Sequence, residues 1–145
     1  MKKILVSACL LGDACRYDGK SKPSPAVIAL RKKYDLIPVC PEVMGGLPTP
    51  RIPSEICGTR VVMKDGTDVT QNYEAGAQIA LRMAREHGCT VAVLKERSPS
   101  CGSGLIHNGL FDGGMTDGDG ITARLLKANG IRVLGESEIT SLLED

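Results

Sequence analysis

Three cysteines each follow a short apolar run of this chain. The runs and their cysteines are 4–6 with Cys9, 36–39 with Cys40, and 91–94 with Cys101. Each run is typical of a buried strand. Because ligands of parallel α/β sheets gather at the carboxyl ends of the strands, we expect the three thiols to share one rim and one task.

Soft thiolates delivered by three separate strands suit an iron–sulfur cluster, which normally takes four cysteines. With only three, one iron would lack a protein ligand and could act as a Lewis acid on a sulfur atom of a substrate. A structural zinc site is disfavoured because the chain has no C-x-x-C motif and only two histidines. The alternative without function is that these cysteines are small buried hydrophobic residues.

The other cysteines and histidines carry weaker signals. Cys57 and Cys89 are interpreted as packed residues of the interior. The sequence does not decide the role of Cys15, which could be a fourth ligand, a thiol on the substrate side or a residue without function. His107 has no evident nucleophile partner in the sequence and is interpreted as a surface or packed histidine.

Polar residues near the cysteines supply candidate catalytic and binding groups. Glu42 follows Cys40-Pro41, a restricted turn that can hold its carboxylate beside the thiol as a general acid or base. The alternative is a solvated loop glutamate. Ser98 is the candidate catalytic serine and Ser100 a candidate substrate-binding one, although serines in loops often only hydrogen-bond the turn. Arg51 could bind a substrate anion or hold the long loop by a salt bridge, which we favour.

The order of elements predicts one α/β domain over residues 1–145, with three layers, a mostly parallel Rossmann-like sheet and a small hairpin. Ser24 and Pro25 predict the start of a helix that reaches about Tyr34. Asp65-Gly66 predicts a hairpin turn between the strands 61–64 and 67–69. Further helices are expected from Thr70 to a stop at Gly88, over 121–128, and after Ser137, with a last strand at 131–134.

Composition excludes several classes of function. The formal net charge is +1, with 18 basic and 17 acidic residues, and the chain has one Phe and no Trp. Neither a basic field nor stacking platforms for nucleic acid are therefore expected. No segment reaches the ~20 apolar residues that span a bilayer. Six cysteines in a chain with no signal peptide indicate a cytoplasmic protein that uses thiol or metal chemistry.

Taken together, these motifs resemble the thiouracil desulfidase family over nearly the whole chain. The matching pieces are SACLLG at 7–12, CRYDG at 15–19, CPE at 40–42 with GGL at 45–47 and PR at 50–51, and SPSCG at 98–102. The resemblance implies a [4Fe–4S] cluster held by Cys9, Cys40 and Cys101. It also implies non-redox removal of sulfur from 2-thiouracil, giving uracil and sulfide, with help from Glu42 and Ser98.

Two other kinds of function stay open at this level. A cluster-free sulfurtransferase would carry a persulfide on Cys101 as its nucleophile. A binding module without catalysis would use the same rim for a small ligand or a metal. The natural thiolated substrate and the oligomeric state do not follow from the sequence.

Overall fold

A four-stranded parallel sheet lies at the centre of the protein in the computed structural model, which describes residues 1–143. Along the described chain the strands are β1 (Lys2–Ser7), β2 (Tyr34–Val39), β3 (Ser54–Cys57), β4 (Arg60–Met63), β5 (Val91–Leu94), β6 (Leu105–His107), β7 (Met115–Asp117) and β8 (Arg132–Gly135). The α-helices are α1 (Pro25–Ile28), α2 (Pro41–Met44), α3 (Thr70–His87), α4 (Ile121–Ala128) and α5 (Thr140–Leu143), and 3-10 helices span Ala8–Leu11 and Ala29–Lys32.

Both faces of the sheet are covered, as the alternation of side chains along β1 illustrates. Leu5 packs with residues of α3 and α4 on one face, whereas Ile4 and Val6 pack with residues of α1 and α5 on the other. This alternation is the period of two that a strand buried on both faces requires. The predicted three-layer α/β fold with a mostly parallel sheet is confirmed.

The strand order β2–β1–β5–β8 places the first strand of the chain inside the sheet. The chain first adds β2 beside β1 and later adds β5 on the other side of β1, with all pairs parallel. The direction of winding therefore reverses between β1 and β5. In open parallel sheets a crevice forms outside the strand ends at such a reversal, and ligands bind there.

The predicted hairpin differs from the observed one. The turn at Asp65-Gly66 forms, but only Val62 and Asp68 pair across it. The main partner of β4 is β3, joined to it through a turn at Gly58, where φ is +64°. The second predicted strand does not extend because the Asp68 carboxylate accepts the Thr70 backbone N–H and so starts α3.

Helix boundaries follow the local signals closely where a cap is present. The Ser24 side chain accepts the Val27 N–H at the start of α1, and Gly88 ends α3 in the left-handed conformation, both as predicted. The helix after Ser24 is shorter than expected, since it continues as a 3-10 helix and Tyr34 already begins β2. A second hairpin, β6–β7, was not predicted. In the part of the chain that is described, no helix is long and apolar enough to cross a bilayer.

Candidate active site

The three strand-end cysteines line one cavity. Cys9 lies in the 3-10 helix after β1, Cys40 lies between β2 and α2, and Cys101 lies in the loop after β5. All of them line a cavity of about 550 Å³. Since β1, β2 and β5 are neighbours and parallel, the fold itself brings these distant cysteines to one rim.

Close packing of α2 on α3 seats Cys40 and Glu42. A Cβ atom at Gly76 would overlap the carbonyl oxygen of Pro41, so only glycine fits where the two helices touch. At the other end of α2, the Asn72 side chain donates a hydrogen bond to the Gly45 carbonyl at 2.8 Å. A helix as short as α2 is not stable by itself, so its contacts with α3 hold it in place.

The loop that carries Cys101 is tied to the start of α4. Backbone N–H groups of Ile121 and Thr122 donate to the carbonyl oxygens of Pro99 and Ser100, each at 2.9 Å. The first N–H groups of a helix have no partner within it, so these carbonyls satisfy them. The loop takes the place of a side-chain cap, which this helix does not have, and α4 fixes the loop in return.

Ser98 and Ser100, the two serines that precede Cys101 in this loop, have different surroundings. Ser98 lines the cavity, and its Oγ accepts the backbone N–H groups of Ser100 and Cys101 at 3.1 Å each. Ser100 is fully buried, and its Oγ lies 2.9 Å from the hydroxyl of Thr122. Ser100 is not among the residues that line the cavity. Its placement supports the loop and does not support the expected contact with substrate.

Glu42 is held between an arginine and a serine. One carboxylate oxygen accepts Arg51 Nε at 3.1 Å, and the other lies 3.5 Å from Ser98 Oγ as its acceptor. The Glu42 side chain is 16% exposed and that of Arg51 is 3% exposed. Glu42 is therefore a shielded cavity residue, and the solvated alternative does not apply.

Arg51 is occupied by contacts within the protein. Besides Glu42, its guanidinium donates to the carbonyl oxygens of Pro48 and Cys15 and to the hydroxyl of Thr49, at 3.0 to 3.1 Å. The favoured interpretation, a salt bridge that holds the long loop, is confirmed by this geometry. A guanidinium has five N–H donors in a fixed fork, which suits it to tie several segments together.

Ser7 is a residue of this site that our sequence analysis missed. It is the last residue of β1, and its Oγ accepts the backbone N–H of Lys95 at 2.8 Å, just where β5 ends. A hydrogen bond with Ser7 also lowers the pKa of the Cys101 thiol, but burial has the larger effect and raises that pKa to about 12. In the sequence, Ser7 stood only as the first residue of the matching piece SACLLG, without a role of its own.

Cys15 belongs to the same group of thiols. A hydrogen bond with the Cys40 thiol lowers the pKa of Cys15, but one with Cys9, together with burial, raises it to about 11. The hydrogen bond with Cys15 and burial raise the pKa of Cys40 in turn. Cys57 and Cys89 are not among the residues lining the cavity. Cys89 packs in the core as expected, whereas Cys57 is half-buried and its thiol donates to the Gly109 carbonyl at 3.4 Å.

This donor set fits a cluster better than a single ion. In a cubane, each cysteine binds a different iron, so the sulfurs surround the cluster instead of meeting at one point. Within residues 1–143, no group of three or more His, Cys, Asp or Glu side chains is placed to hold one metal ion. Thiols that are costly to ionise together also need the positive charge that bound iron brings.

Two polar atoms on the cavity residues have no partner. Among the described residues, Tyr73 Oη and His107 Nδ1 are buried side-chain atoms without a hydrogen bond. Both residues line the cavity. In the sequence, Tyr73 lies within the helix predicted from Thr70 to Gly88, and His107 was interpreted as a surface or packed residue. Neither signal indicated a position at the cavity.

Comparisons with known proteins identify the family of this chain. A model of the 2-thiouracil desulfurase family matches residues 4–138. The chain is 43% identical to an uncharacterized protein, YbbK, of Bacillus subtilis (strain 168), covering 97% of this chain and 99% of that protein. A solved structure described as the [4Fe-4S]-dependent thiouracil desulfidase TudS superposes with a TM-score of 0.93 at 47% identity, covering 99% of this chain and 97% of that one. The chain therefore belongs to the 2-thiouracil desulfurase family.

Proposed function

We propose that this protein is an iron–sulfur-dependent desulfidase that replaces the sulfur of a small thiolated heterocycle, such as 2-thiouracil, by oxygen. One observation carries the proposal: three cysteines from neighbouring parallel strands line a single cavity together with the linked pair Glu42 and Ser98. The similarity to a [4Fe-4S]-dependent thiouracil desulfidase over 99% of the chain supports it.

Cys9, Cys40 and Cys101 would hold the cluster. When bound, a [4Fe–4S] cluster with three cysteine ligands supplies a Lewis-acidic iron with affinity for sulfur. The protein positions the three thiols from separate elements and shields them, since Cys9 and Cys101 are only 7% and 6% exposed.

Glu42 is the general base. It takes one proton from water as the water oxygen bonds to the thiocarbonyl carbon, and it returns that proton to the sulfur. The second water proton also moves from the added oxygen to the sulfur, so that the C=O bond forms as the C–S bond breaks. One water is consumed and one hydrogen sulfide is released, without a change of oxidation state. Arg51 fixes one carboxylate oxygen, while the other faces Ser98 at 3.5 Å, which can pass the proton on.

A cluster-free mechanism with Cys101 as nucleophile fits this site less well. Reactive cysteines are partly exposed and have lowered pKa values. The Cys101 thiol is buried, and burial raises its pKa to about 12. In that mechanism only the loss of Cys101 would abolish activity, so cysteine variants distinguish it from the cluster-dependent mechanism.

The test is anaerobic purification followed by iron and sulfide analysis and by an assay for sulfide release from 2-thiouracil. We expect roughly four irons per chain, as a cubane requires, with release of sulfide. Cys9→Ser, Cys40→Ser and Cys101→Ser should each lose both. Cys57→Ser is the matched control, because Cys57 is not among the cavity-lining residues.

Two results would overturn the proposal. One is an iron-free wild type under anaerobic conditions that nevertheless releases sulfide. The other is full activity in Cys9→Ser and Cys40→Ser with loss only in Cys101→Ser, which would assign the reaction to a single nucleophilic thiol.

A small thiolated molecule in the cytoplasm is the partner that this reaction implies. All six cysteines are free, which is usual in reducing compartments. A single-domain organisation over 1–145, an absence of nucleic-acid binding and the cytoplasmic location stay predictions. Fractionation of cells would test the last of these directly.

A further inference from the structure

Tyr73 and His107, which carry the two unpartnered atoms, line the same cavity and lie on elements that carry no cysteine. Tyr73 lies on α3 and His107 on β6, whereas the cluster-binding cysteines follow the parallel strands. Native proteins leave few buried polar atoms without a hydrogen bond, so such an atom on a cavity-lining residue is available to a molecule that binds there. We infer that Tyr73 Oη and His107 Nδ1 hydrogen-bond the polar edge of the bound heterocycle and decide which thiolated ring is accepted.

Tyr73 is fixed by apolar packing but unsatisfied at its tip. The residue is 1% exposed and packs with Leu47, Val61 and Val69. The side chains of Ser54 and Glu42 lie close enough to its hydroxyl to shift its pKa, although neither meets the geometry of a hydrogen bond. Burial first, and then the charge of Glu42, raises the pKa of Tyr73. The hydroxyl therefore stays protonated and can donate.

His107 offers the complementary group. It pairs with Met115 across the β6–β7 hairpin, which holds its backbone in a regular strand. Its Nδ1 is buried without a partner although the residue as a whole is half-buried. A neutral imidazole has one nitrogen that donates and one that accepts, so Nδ1 can accept the N–H of a ring.

These two groups match an amide-like ring edge. A 2-thiouracil ring carries a carbonyl oxygen that accepts a hydrogen bond and ring N–H groups that donate one. The Tyr73 hydroxyl would donate to the carbonyl and His107 would accept from an N–H, while the sulfur is left for the cysteine rim. A site built to hydrogen-bond a substrate group discriminates strongly against an analogue that lacks it.

This role rests on the proposed desulfidase activity, and the test uses the cluster-loaded protein. The substrates are 2-thiouracil and pyrimidine-2-thione, which lacks the ring carbonyl. For Tyr73→Phe we expect KM for 2-thiouracil to rise about tenfold, as loss of one hydrogen bond to a substrate implies, while kcat changes less. The preference of the variant for 2-thiouracil over pyrimidine-2-thione should shrink by a similar factor.

A matched control comes from Tyr34, whose hydroxyl already donates to the Leu142 carbonyl at 3.1 Å. Tyr34→Phe should lower the melting temperature and leave the substrate preference unchanged. Tyr73→Phe should not lower the melting temperature, because it removes a buried hydroxyl that has no partner. For His107, an alanine variant should bind uracil more weakly by calorimetry, and His107→Asn should recover part of that binding.

The outcomes separate this role from the activity itself. If the wild type is active and both Tyr73→Phe and His107→Ala keep its KM and its preference, the recognition role is wrong and the desulfidase stands. A fall in melting temperature of Tyr73→Phe like that of Tyr34→Phe, without a change in KM, would assign Tyr73 a structural role only. If the loaded wild type releases no sulfide, the proposed function and this role fall together.

Discussion

Two sides of the cavity differ in how far the protein satisfies its own polar groups. The cysteine side consists of Cys9, Cys40 and Cys101 at the ends of the parallel strands. The recognition side consists of Tyr73 on α3 together with His107 and Phe111 from the β6–β7 hairpin. On the cysteine side the supporting serine and arginine groups are hydrogen-bonded within the protein. On the recognition side two buried polar atoms have no partner.

This difference indicates a division of labour. A metal cluster must be held in one geometry, so its ligands need supports that are complete before substrate arrives. A substrate that binds and leaves in every turnover must instead be recognised by groups that have no hydrogen-bond partner within the protein. Glu55 fits this view, because its carboxylate accepts the N–H groups of Gly109 and Phe111 at 2.9 and 3.2 Å and so fixes the hairpin loop without occupying His107.

The largest effect is expected from Gly76→Ala on the cysteine side. The added methyl would overlap the Pro41 carbonyl and push α2 away from α3, displacing Cys40 and Glu42 together. Overpacking of this kind costs about 1–3 kcal/mol, and we expect most of the bound iron to be lost. Iron content and thermal unfolding measure this. Gln78→Ala on the exposed face of α3 is the control. Equal iron content in both variants would contradict the claim that close packing of α2 on α3 positions Cys40.

The two serines of the Cys101 loop should separate activity from stability. Ser98→Ala removes the hydroxyl beside Glu42, and kcat should fall about a hundredfold, as for loss of a group that moves a proton. It also removes the acceptor of the Ser100 and Cys101 N–H groups, so some loss of stability accompanies the loss of activity. Ser100→Ala leaves Thr122 without its buried partner, which should cost about 1–3 kcal/mol of stability with kcat nearly unchanged. Steady-state kinetics and chemical denaturation distinguish them. The reverse pattern would assign catalysis to Ser100.

A smaller effect is expected from Arg51→Lys. Lysine keeps the charge but lacks the fork that joins Glu42 to the Cys15 and Pro48 carbonyls. We expect kcat to fall about tenfold because Glu42 is less well oriented. Arg60→Lys, which alters an exposed ion pair with Asp68, should leave kcat unchanged. A loss of activity equal in both variants would show that the orientation of Glu42 does not matter.

The smallest effect concerns the exposed Arg60–Asp68 pair, remote from both sides of the cavity. Hydrogen bonds from Arg60 and from the Thr70 N–H lower the pKa of Asp68 from 3.8 to about 2. A carboxyl group whose pKa is lower in the folded state stabilises the fold above its unfolded pKa, and that contribution disappears as the pH falls through about 2. Asp68→Asn should therefore lower the melting temperature slightly near neutral pH, and the difference from wild type should vanish near pH 2. A constant difference across this range would contradict the assigned cause.

Local signals in the sequence were enough for the elements that carry their own caps or periodicity. Ser24-Pro25 and Gly88 mark helix ends by backbone chemistry alone, and each was located correctly. The strand β3 and the β6–β7 hairpin were missed, since their residues lie among prolines and glycines that indicate loops. Each of these strands pairs with a strand close by in the chain, and the distant residue Glu55 fixes the loop after His107.

The positions of Cys9, Cys40 and Cys101 at strand ends could be predicted from the sequence alone. Each cysteine follows an apolar run that predicts a buried strand, and the carboxyl ends of parallel strands lie at one edge of the sheet. Which serine lines the cavity, what satisfies Arg51 and which polar atoms are left without partners were decided only by the tertiary structure. These properties depend on contacts between residues far apart in the chain. Tyr73 and Glu42 are neighbours in the cavity, and no pattern of spacing along the chain encodes that proximity.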